Sequence, residues 1–264
     1  MKIAIVTGAS SGMGRKFVLA LDNMGSIISN KKAMKFDEIW VIARRKDRLL
    51  KLQEEVNSKL RILPLDLTKK ESFEEIEKML KAEQPEVRFL VNASWFGKFN
   101  KSNLIDLNEQ IDMVDLNIKS LMVITNLCIP YMTPGSKIIE ISSQSAWQPL
   151  PYINVYGSTK AFVLHYSRAL NRELKKDGIH VLAVCPFWTR TEFFNHAVDK
   201  KNEVVKYYAC LYEPEAVVRR AVKDAFKKKD VSLYGFKSKV NVLLAKIIPH
   251  KIVMSVWMKQ QKLK

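Results

Sequence analysis

A tyrosine and a lysine at positions 156 and 160 have the spacing and the chemistry of a proton-transfer pair. In the stretch PYINVYGSTKAF, residues 151–162, Tyr156 precedes Lys160 by four positions. Residues four apart on a helix share one face, so the phenol and the ammonium would meet there. A free phenol has a pKa of about 10, and a nearby positive charge favours phenolate and lowers that value. The pair would then act as a general acid and base. The alternative is a packing tyrosine followed by a solvated lysine.

A glycine-rich stretch near the N-terminus has the composition of a phosphate-binding turn. In TGASSGMG, residues 7–14, Gly8, Gly12 and Gly14 follow an apolar strand pattern and open a helix pattern. Glycines permit a tight turn and close approach of the backbone to a pyrophosphate, and the helix N-terminus supplies free N–H groups. The spacing is TGxxxGxG, and no GK[ST] follows, so it is not a Walker loop. A glycine-rich turn without a ligand is the alternative.

The elements that position these residues alternate between strands and helices. Short Val/Ile/Leu-rich runs predict strands at 2–8, 38–45, 60–67, 87–94, 136–143 and 179–186. Helical patterns cover 12–25, 48–59, 70–83, 109–132 and 154–178, the last with Gly178 as its C-cap. This alternation predicts an α/β fold, a Rossmann-like, doubly wound parallel sheet in a single domain with helices on both faces. Ligands bind past the carboxyl ends of the strands in such sheets. The long connection at 22–37 predicts an extra surface excursion.

Cysteine usage and hydropathy argue against several other classes of protein. Three cysteines, Cys128, Cys185 and Cys210, with no CxxC pair argue against a disulfide framework and a metal site. No apolar run is long enough for a membrane span, and the N-terminus lacks the pattern of a signal peptide. We therefore predict a reduced, cytoplasmic location.

Six ordered motifs make the chain resemble the short-chain dehydrogenase/reductase family in its short, single-domain form. TGxxxGxG is the first, and the resemblance covers roughly residues 1–195. The other motifs are PLDL with Asp66, VNAS with Asn92 and Ala93, DLNIKS with Asn117, ISSQS followed by YGSTK with Ser143, Tyr156 and Lys160, and CPFWTRT with Pro186, Thr189 and Thr191. The chain departs from the family pattern at Val91, Ser94 and Phe187, which affects the shape of the pockets rather than the reaction.

The resemblance implies a role for each catalytic candidate. Tyr156 would exchange a proton with the substrate oxygen as hydride passes to or from a nicotinamide. Lys160, together with the positive oxidised ring, would lower the pKa of the tyrosine, and it would also bind the nicotinamide ribose. Ser143 would hydrogen-bond the substrate oxygen. We choose Ser143 over its neighbour Ser142 because Ser142 should point to the opposite face of the strand. Asn117 would support a water in a proton path to solvent.

The implied cofactor is a nicotinamide dinucleotide, and the residues after the second strand favour NADP(H). An acid there binds the ribose hydroxyls of NAD, whereas a basic residue accommodates the 2′-phosphate of NADP. Here Ala43 replaces the acid, and Arg44 and Arg45 follow it. A guanidinium binds phosphate oxygens bidentately. A surface charge is the alternative for Arg45. The other predicted cofactor contacts are Gly8, Ser10, Ser11, Gly12, Met13, Gly14, Asp66, Leu67, Asn92, Ala93, Tyr156, Lys160, Pro186, Thr189 and Thr191.

Aromatic residues after the fourth, fifth and sixth strands predict an apolar substrate pocket. Loops are mostly at the surface, so aromatic side chains clustered there indicate a ligand-binding wall rather than core. The predicted substrate contacts are Trp95, Ser145, Trp147, Phe187, Trp188 and Phe193. Such a wall favours a secondary alcohol or ketone on a bulky hydrophobic molecule, a hydroxysteroid or bile acid. A 3-oxoacyl thioester substrate and a non-catalytic, NADP-binding regulatory protein are the alternatives.

The C-terminal region is the most basic part of a chain whose formal net charge is +17. Elsewhere lysines are interspersed with glutamates, which predicts solvated helices and no nucleic-acid partner. Residues 227–264 hold ten lysines and one acid, Asp230. The pattern over 238–258 is typical of a helix at a membrane surface, or of one packed over the substrate cleft or another subunit. We predict that residues 192–264 of a single domain, 1–264, form the lid and the basic segment. The resemblance implies a homodimer or homotetramer.

Overall fold

The computed structural model describes residues 1–29, 33–198 and 204–263, and this part of the chain contains one parallel sheet. Its strands are β1 (Lys2–Thr7), β2 (Glu38–Ile42), β3 (Leu60–Leu63), β4 (Glu86–Asn92), β5 (Lys137–Ile141), β6 (His180–Val184) and β7 (Val231–Ser232). They lie side by side in the order β3-β2-β1-β4-β5-β6-β7. The order reverses between β1 and β4, so the carboxyl ends of these two strands border a crevice suited to a ligand.

Helices cover both faces of this sheet. They are α1 (Gly12–Asp22), α2 (Lys46–Gln53), α3 (Lys70–Glu83), α4 (Leu107–Val114), α5 (Leu121–Cys128), α6 (Asn154–Glu173), α7 (Phe193–Ala197), α8 (Pro214–Phe226), α9 (Phe236–Ile247) and α10 (His250–Gln260). Helices α1, α2 and α8 pack against strand residues such as Val6 and Val41, whereas α3, α5 and α6 pack against Ile5 and Trp40. Successive strand residues point to opposite faces, so apolar residues at consecutive positions serve two separate cores.

The predicted fold class and alternation are confirmed, and the differences lie at the ends of elements. Helix α6 ends at Glu173 rather than at Gly178, which has a φ of +70° in the turn that leads into β6. The third strand ends at Leu63, although Leu67 continues its apolar pattern in the core. Strand β7 was not predicted, because two residues are too short to show a periodic signal.

The predicted helix over 109–132 is a composite. Helix α4 continues through a π-helical turn, Asp115–Ser120, into α5. Among the described residues, the segment Leu107–Tyr131 is long and apolar enough to cross a membrane by length and composition alone, with a mean hydropathy of 1.2. Its inner side packs on the sheet through Ile124 and Cys128. The segment therefore corrects the expectation that no stretch of the sequence is long and apolar enough, and 39% of its apolar window is buried inside the protein.

The predicted excursion over 22–37 is only partly at the surface. A 3₁₀ turn, Met24–Ser26, follows α1, and Met24 and Ile27 are buried in the core beside that helix. Residues 30–32 of this stretch lie outside the described residues. The excursion is therefore anchored to the core by its first apolar side chains.

Candidate active site

The turn between β1 and α1 packs closely against the end of β4. Gly8 has a φ of +66°, and a Cβ on it would lie 2.1 Å from the carbonyl oxygen of Ala93. A Cβ on Gly14 would lie 2.3 Å from the carbonyl oxygen of Gly8. Thr7 was not among the predicted residues, although it directly precedes the first glycine. Its hydroxyl accepts hydrogen bonds from the amides of Ala93 at 3.0 Å and Ser94 at 3.1 Å. Only glycine therefore fits the turn at these two positions.

An arginine after β2 holds the two serines of this turn. The Arg45 guanidinium donates to the Ser10 hydroxyl at 3.1 Å and to the Ser11 hydroxyl at 2.7 Å. It also forms an ion pair with Glu192 at 3.1 Å. Arg44 is exposed and forms no ion pair with any residue that the structure describes. Arg44 is thus available to an anion, whereas Arg45 already braces the turn.

A cleft of about 610 Å³ lies beside the serines and carries an excess of positive charge. Its basic lining residues are Arg15, Lys16, Arg48, Lys51 and Arg190. Two acids in the lining offset part of this charge: Glu192 pairs with Arg48 at 2.6 Å, and Glu55 pairs with Arg15. Positive charge beside a helix N-terminus favours an anionic ligand. Arg48 follows Arg44 by four positions, and this spacing could have predicted its place in the cleft from the sequence. Arg190 lies far away in the sequence, and only the fold brings it to the cleft.

Two other predicted cofactor residues have side chains engaged in the structure. The Asp66 carboxylate accepts hydrogen bonds from the amide of Thr68 at 3.0 Å and from its hydroxyl at 2.9 Å, which closes the turn before α3. Leu67 is buried in the core beneath α3. Any contact of Leu67 with a cofactor is therefore limited to its backbone.

Tyr156 and Ser143 meet at the carboxyl end of β5. Tyr156 lies in the first turn of α6, is 6% exposed, and shares a side-chain hydrogen bond with Ser143. The Ser143 hydroxyl also accepts a hydrogen bond from the amide of Ser145 at 3.1 Å. Ser142 points the other way and donates to the carbonyl oxygen of Lys160 at 2.7 Å. The structure therefore presents Ser143, rather than Ser142, to the tyrosine.

Burial dominates the ionisation of both Tyr156 and Lys160. It raises the pKa of Tyr156, and the hydrogen bond with Ser143 only partly opposes this. The lowering predicted from the sequence depends on Lys160 together with the positive oxidised ring, and it stays a prediction for the protein with its cofactor bound. The lysine ammonium donates to the carbonyl oxygen of Ile141 at 2.8 Å and lies 5.8 Å from the centre of the tyrosine ring. Burial lowers the pKa of Lys160 to about 7. The groups of the protein thus keep the phenol protonated, the form that donates a proton to a carbonyl.

A buried glutamate lies on the same side of the sheet as Lys160. Burial raises the pKa of Glu140 to about 8, despite hydrogen bonds from Thr125 and Asn92, and Lys160 opposes the rise. Asn92 donates to Glu140 Oε1 at 3.1 Å and to Thr125 Oγ1 at 2.9 Å, so its side chain serves this cluster. Glu140 was not predicted, although an acid inside the apolar run KIIEI is a signal that could have found it.

Asn117 fastens the loop after β4 to α6. It lies in the π-helical turn and is 1% exposed. Its Oδ1 accepts a hydrogen bond from the amide of Phe96 at 3.1 Å. Its Nδ2 donates to the carbonyl oxygen of Phe96 at 2.9 Å and to the Thr159 hydroxyl at 3.0 Å. Single π turns often occur at functional sites. These bonds give Asn117 a positioning role, and its support of a proton path stays a prediction.

An apolar cavity of about 520 Å³ opens beside Tyr156 and Ser143. The Tyr156 ring lies 5.3 Å from Phe193 and 6.1 Å from Trp95, between ring centres. The predicted residues that line the cavity include Met13, Trp95, Ser145, Pro186, Phe187, Trp188, Thr189, Thr191 and Phe193. Helices α9 and α10 complete the wall with residues that no motif indicated, such as Val240, Leu244, Val253 and Trp257.

Trp147 is not part of this wall. It packs with Ala146, Leu164 and Ala183 in a separate small cluster, and the Lys246 ammonium lies 4.6 Å from its ring centre. The sequence placed it after the fifth strand, but the 3₁₀ turn Gln144–Trp147 carries it towards β6. The structure therefore separates Trp147 from the other predicted substrate contacts.

Comparison with known proteins identifies the family to which this site belongs. The sequence model of the family described as short chain dehydrogenase matches residues 2–202. The chain belongs to the short-chain dehydrogenase family. The predicted resemblance is confirmed, and this short-chain dehydrogenase is an oxidoreductase of CH–OH and C=O groups.

Curated relatives and solved structures agree with this assignment. A very-long-chain 3-oxoacyl-CoA reductase of Anas platyrhynchos is 29% identical over 98% of this chain and 80% of the relative. An uncharacterised oxidoreductase of Staphylococcus epidermidis is 29% identical over 70% of this chain and 76% of the relative. A short-chain dehydrogenase from Sphingobium yanoikuyae in complex with NADPH has a TM-score of 0.75 and 23% identity, over 97% of this chain and 96% of that one. A serine dehydrogenase complexed with NADP⁺ has a TM-score of 0.74 and 27% identity, over 88% and 94% of the two chains.

The residues of this short-chain dehydrogenase fit a dinucleotide. Gly12 lines the basic cleft without a side chain, Gly8 and Gly14 allow the close packing of the turn, and the N-terminus of α1 supplies free amides. The cleft beside the turn is basic, as a phosphate-bearing ligand requires. The Tyr156–Ser143 pair lies past the strand ends on the β5 side of the same crevice, where a reacting group would be held.

Proposed function

We propose that the chain is an NADP(H)-dependent oxidoreductase that interconverts a ketone and a secondary alcohol on a bulky hydrophobic substrate. The observation that carries this proposal is the hydrogen bond between Tyr156 and Ser143 beside the apolar cavity. A bound nicotinamide would supply or accept the hydride. The residues of the chain hold the substrate oxygen and move its proton.

In reduction, a carbonyl oxygen would accept hydrogen bonds from the Tyr156 and Ser143 hydroxyls. Two donors polarise the carbonyl and stabilise the negative charge that grows on its oxygen. As hydride adds to the carbonyl carbon, the phenol proton passes to the oxygen and leaves a phenolate. A positive charge on Lys160 stabilises that phenolate, which then regains its proton from solvent. Oxidation follows the same steps in reverse, with the phenolate as the base.

We assign the cofactor phosphates to the turn that contains Gly8, Gly12 and Gly14, with Ser10 and Ser11 beside them. Arg44 would bind the 2′-phosphate, because it is exposed and has no acidic partner in the described part of the chain. The basic cleft supports the same preference. NADPH and NADP⁺ in two structures of the same fold agree with it.

Two hydrophobic substrates remain candidates, and we favour a long-chain 3-oxoacyl thioester over a hydroxysteroid or bile acid. The Anas platyrhynchos relative, which matches 98% of this chain, carries the former activity in its name. The seven lysines that follow Val231 would also suit an anionic thioester carrier. The aromatic wall around Trp95, Trp188 and Phe193 supports the steroid as the second candidate.

A substrate screen tests this proposal. Purified protein is supplied with NADPH or NADH and with 3-oxoacyl-CoA of short and long chains or with oxosteroids, and the absorbance of the reduced nicotinamide is followed. We expect turnover with NADPH and long-chain 3-oxoacyl-CoA. Turnover of oxosteroids alone would transfer the assignment to the second candidate, and turnover of neither class would contradict the proposal.

We also propose that the chain forms a homo-oligomer through the outer face of α4 and α5. That face exposes large apolar side chains, among them Leu107, Ile111, Val114 and Met122. Exposed apolar patches of this kind mark interfaces between proteins. The cytoplasmic location and the lid role of residues 192–264 likewise stay predictions, and residues 199–203 and 264 lie outside the described residues. The three cysteines are free thiols, which suits a reduced compartment.

A further inference from the structure

Helices α9 and α10 carry a stripe of exposed apolar side chains. We call it the α9–α10 stripe, and its members are Phe236, Leu243, Leu244, Ile247, Ile252 and Val256. Phe236 is 80% exposed and Ile247 is 71% exposed. Spacings of three, four and seven residues within α9, and of four residues within α10, place these side chains on one face of each helix. An apolar stripe of this length at the surface indicates a site of interaction.

The stripe borders the opening of the apolar cavity. Four of its members line that cavity as well as being exposed, namely Phe236, Leu244, Ile252 and Val256. The inner sides of the same helices are fixed to the body of the protein. Trp257 donates to the carbonyl oxygen of Pro151 at 3.0 Å, and Ser238 is fully buried beside Gln144. The helices are therefore fixed by their buried side, and the stripe lies at the rim of the cavity, where its residues meet both the cavity and solvent.

Unpaired positive charge surrounds the stripe. From Val231 to the C-terminus the sequence has seven lysines and no acidic residue. Lys239, Lys251 and Lys259 are exposed and form no ion pair with any residue in the described ranges. Exposed lysines flanking apolar residues on a helix match an anionic lipid surface, where the apolar groups enter the interface and the ammonium groups meet phosphates.

We propose that the α9–α10 stripe docks on an anionic membrane surface and turns the opening of the cavity towards the lipid. A hydrophobic substrate then enters the cavity from the membrane without crossing water. The route of the substrate rests on the proposed function, but the docking itself does not.

The charge around the stripe favours an anionic membrane surface over a second copy of the chain as its partner. A two-fold interface pairs the same patch with itself. Two such lysine-rich faces would repel each other, because neither brings an acid to the contact. The apolar face of α4 differs, since acids such as Asp112 and Asp115 accompany Lys119 there.

Sedimentation with lipid vesicles tests the docking. The whole protein is spun with vesicles of phosphatidylcholine alone, or of phosphatidylcholine with phosphatidylserine, in low and high salt. In low salt we expect the protein to sediment with the anionic vesicles. The bound fraction should fall several-fold in high salt, and it should be several-fold lower with neutral vesicles. The double variant Leu243→Glu with Ile247→Glu should lose binding, and neither residue lines the cavity. The triple variant Lys239→Ser, Lys251→Ser and Lys259→Ser should bind anionic vesicles roughly a hundredfold more weakly.

A matched double variant, Leu50→Glu with Leu104→Glu, controls for added charge at exposed leucines elsewhere and should bind as the wild type does. Wild-type protein that stays in the supernatant with anionic vesicles would overturn the proposal, as would full binding by the Leu243/Ile247 variant. A change in solution mass of that variant without vesicles would assign the stripe to a second copy instead. Turnover of a short, water-soluble ketone is measured separately, so that failed docking is distinguished from a failed assignment of the reaction.

Discussion

Asn92 and Glu140 face each other across β4 and β5, joined by a hydrogen bond of 3.1 Å from Asn92 Nδ2 to Glu140 Oε1. Asn92 Oδ1 and Glu140 Oε2 are both buried without a hydrogen-bond partner among the described residues. A proton on Glu140 Oε2 would make this carboxyl a hydrogen-bond donor, and Asn92 Oδ1 is the buried acceptor that otherwise lacks a partner. Burial raises the pKa of Glu140 to about 8, which agrees with a protonated carboxyl at neutral pH. The core beside Lys160 therefore holds a titratable proton.

The variant Glu140→Gln should remove a pH dependence of stability. The pKa of Glu140 is about 8 in the folded chain and 4.5 for an ordinary glutamate. Between these values the folded state binds a proton that the unfolded state has lost, so the free energy of unfolding falls as the pH rises. Glutamine is neutral and keeps the hydrogen bonds. We expect the free energy of unfolding of the variant to rise relative to that of the wild type between about pH 5 and pH 7, by up to about 1.4 kcal/mol per pH unit.

Urea unfolding at a series of pH values measures this difference. The exposed Glu75 offers a control, and Glu75→Gln should follow the wild type at every pH. A constant difference between Glu140→Gln and the wild type across this range would show that Glu140 is ionised in the folded protein.

Alanine at two glycines should have opposite effects on stability. At Gly8 the new Cβ would lie 2.1 Å from the carbonyl oxygen of Ala93, in a backbone with a φ of +66°. We expect Gly8→Ala to destabilise the fold by about 2 kcal/mol or more and to abolish dinucleotide binding. At Gly157, inside α6, the nearest contact of a new Cβ is an ordinary 3.9 Å. Gly157→Ala should therefore stabilise the fold by about 0.5–1 kcal/mol. Thermal unfolding measures both, and equal effects would contradict the packing described for the turn.

Removal of the Tyr156 hydroxyl should abolish turnover and spare cofactor binding. Phenylalanine keeps the ring contacts with Trp95 and Phe193 but cannot donate a proton. We expect turnover by Tyr156→Phe to fall by at least roughly 10²-fold, with NADPH affinity measured by fluorescence unchanged. Tyr166 lies on the same helix, and its hydroxyl accepts a hydrogen bond from Asn126 at 3.2 Å, away from Ser143. Tyr166→Phe should keep its activity, and unchanged turnover by Tyr156→Phe would refute the mechanism.

Removal of the Arg44 guanidinium should weaken the preference for NADPH. A charge-assisted hydrogen bond to a phosphate contributes about 1.5–3 kcal/mol. We expect Arg44→Ser to raise the KM for NADPH by roughly 10- to 100-fold and to leave the KM for NADH unchanged. Arg172 is exposed at the end of α6, and Arg172→Ser serves as the control. Steady-state kinetics with both cofactors test the assignment. An equal loss with NADH would indicate damage to the turn rather than loss of a phosphate contact.

Local spacing in the sequence determined the fold class and the identity of the main site residues. The apolar period of each segment depends on neighbouring residues, so six of the strands and the helices between them could be predicted. Gly8 and Gly14 belong to one turn, and Tyr156 and Lys160 lie within one helical turn. The proximity of the residues within each pair can therefore be predicted without knowledge of the rest of the chain. The resemblance to short-chain dehydrogenases depends on such local motifs in order.

Tertiary structure alone decided the relationships between residues far apart in the chain. Glu140 meets Asn92 only because β4 pairs with β5 in the sheet, and Tyr156 meets Phe193 only because the segment after β6 lies beside the start of α6. Burial by those segments sets the pKa directions of Tyr156, Lys160 and Glu140. Protonation in a core depends on every element that excludes water from it, and no short stretch of sequence contains that information.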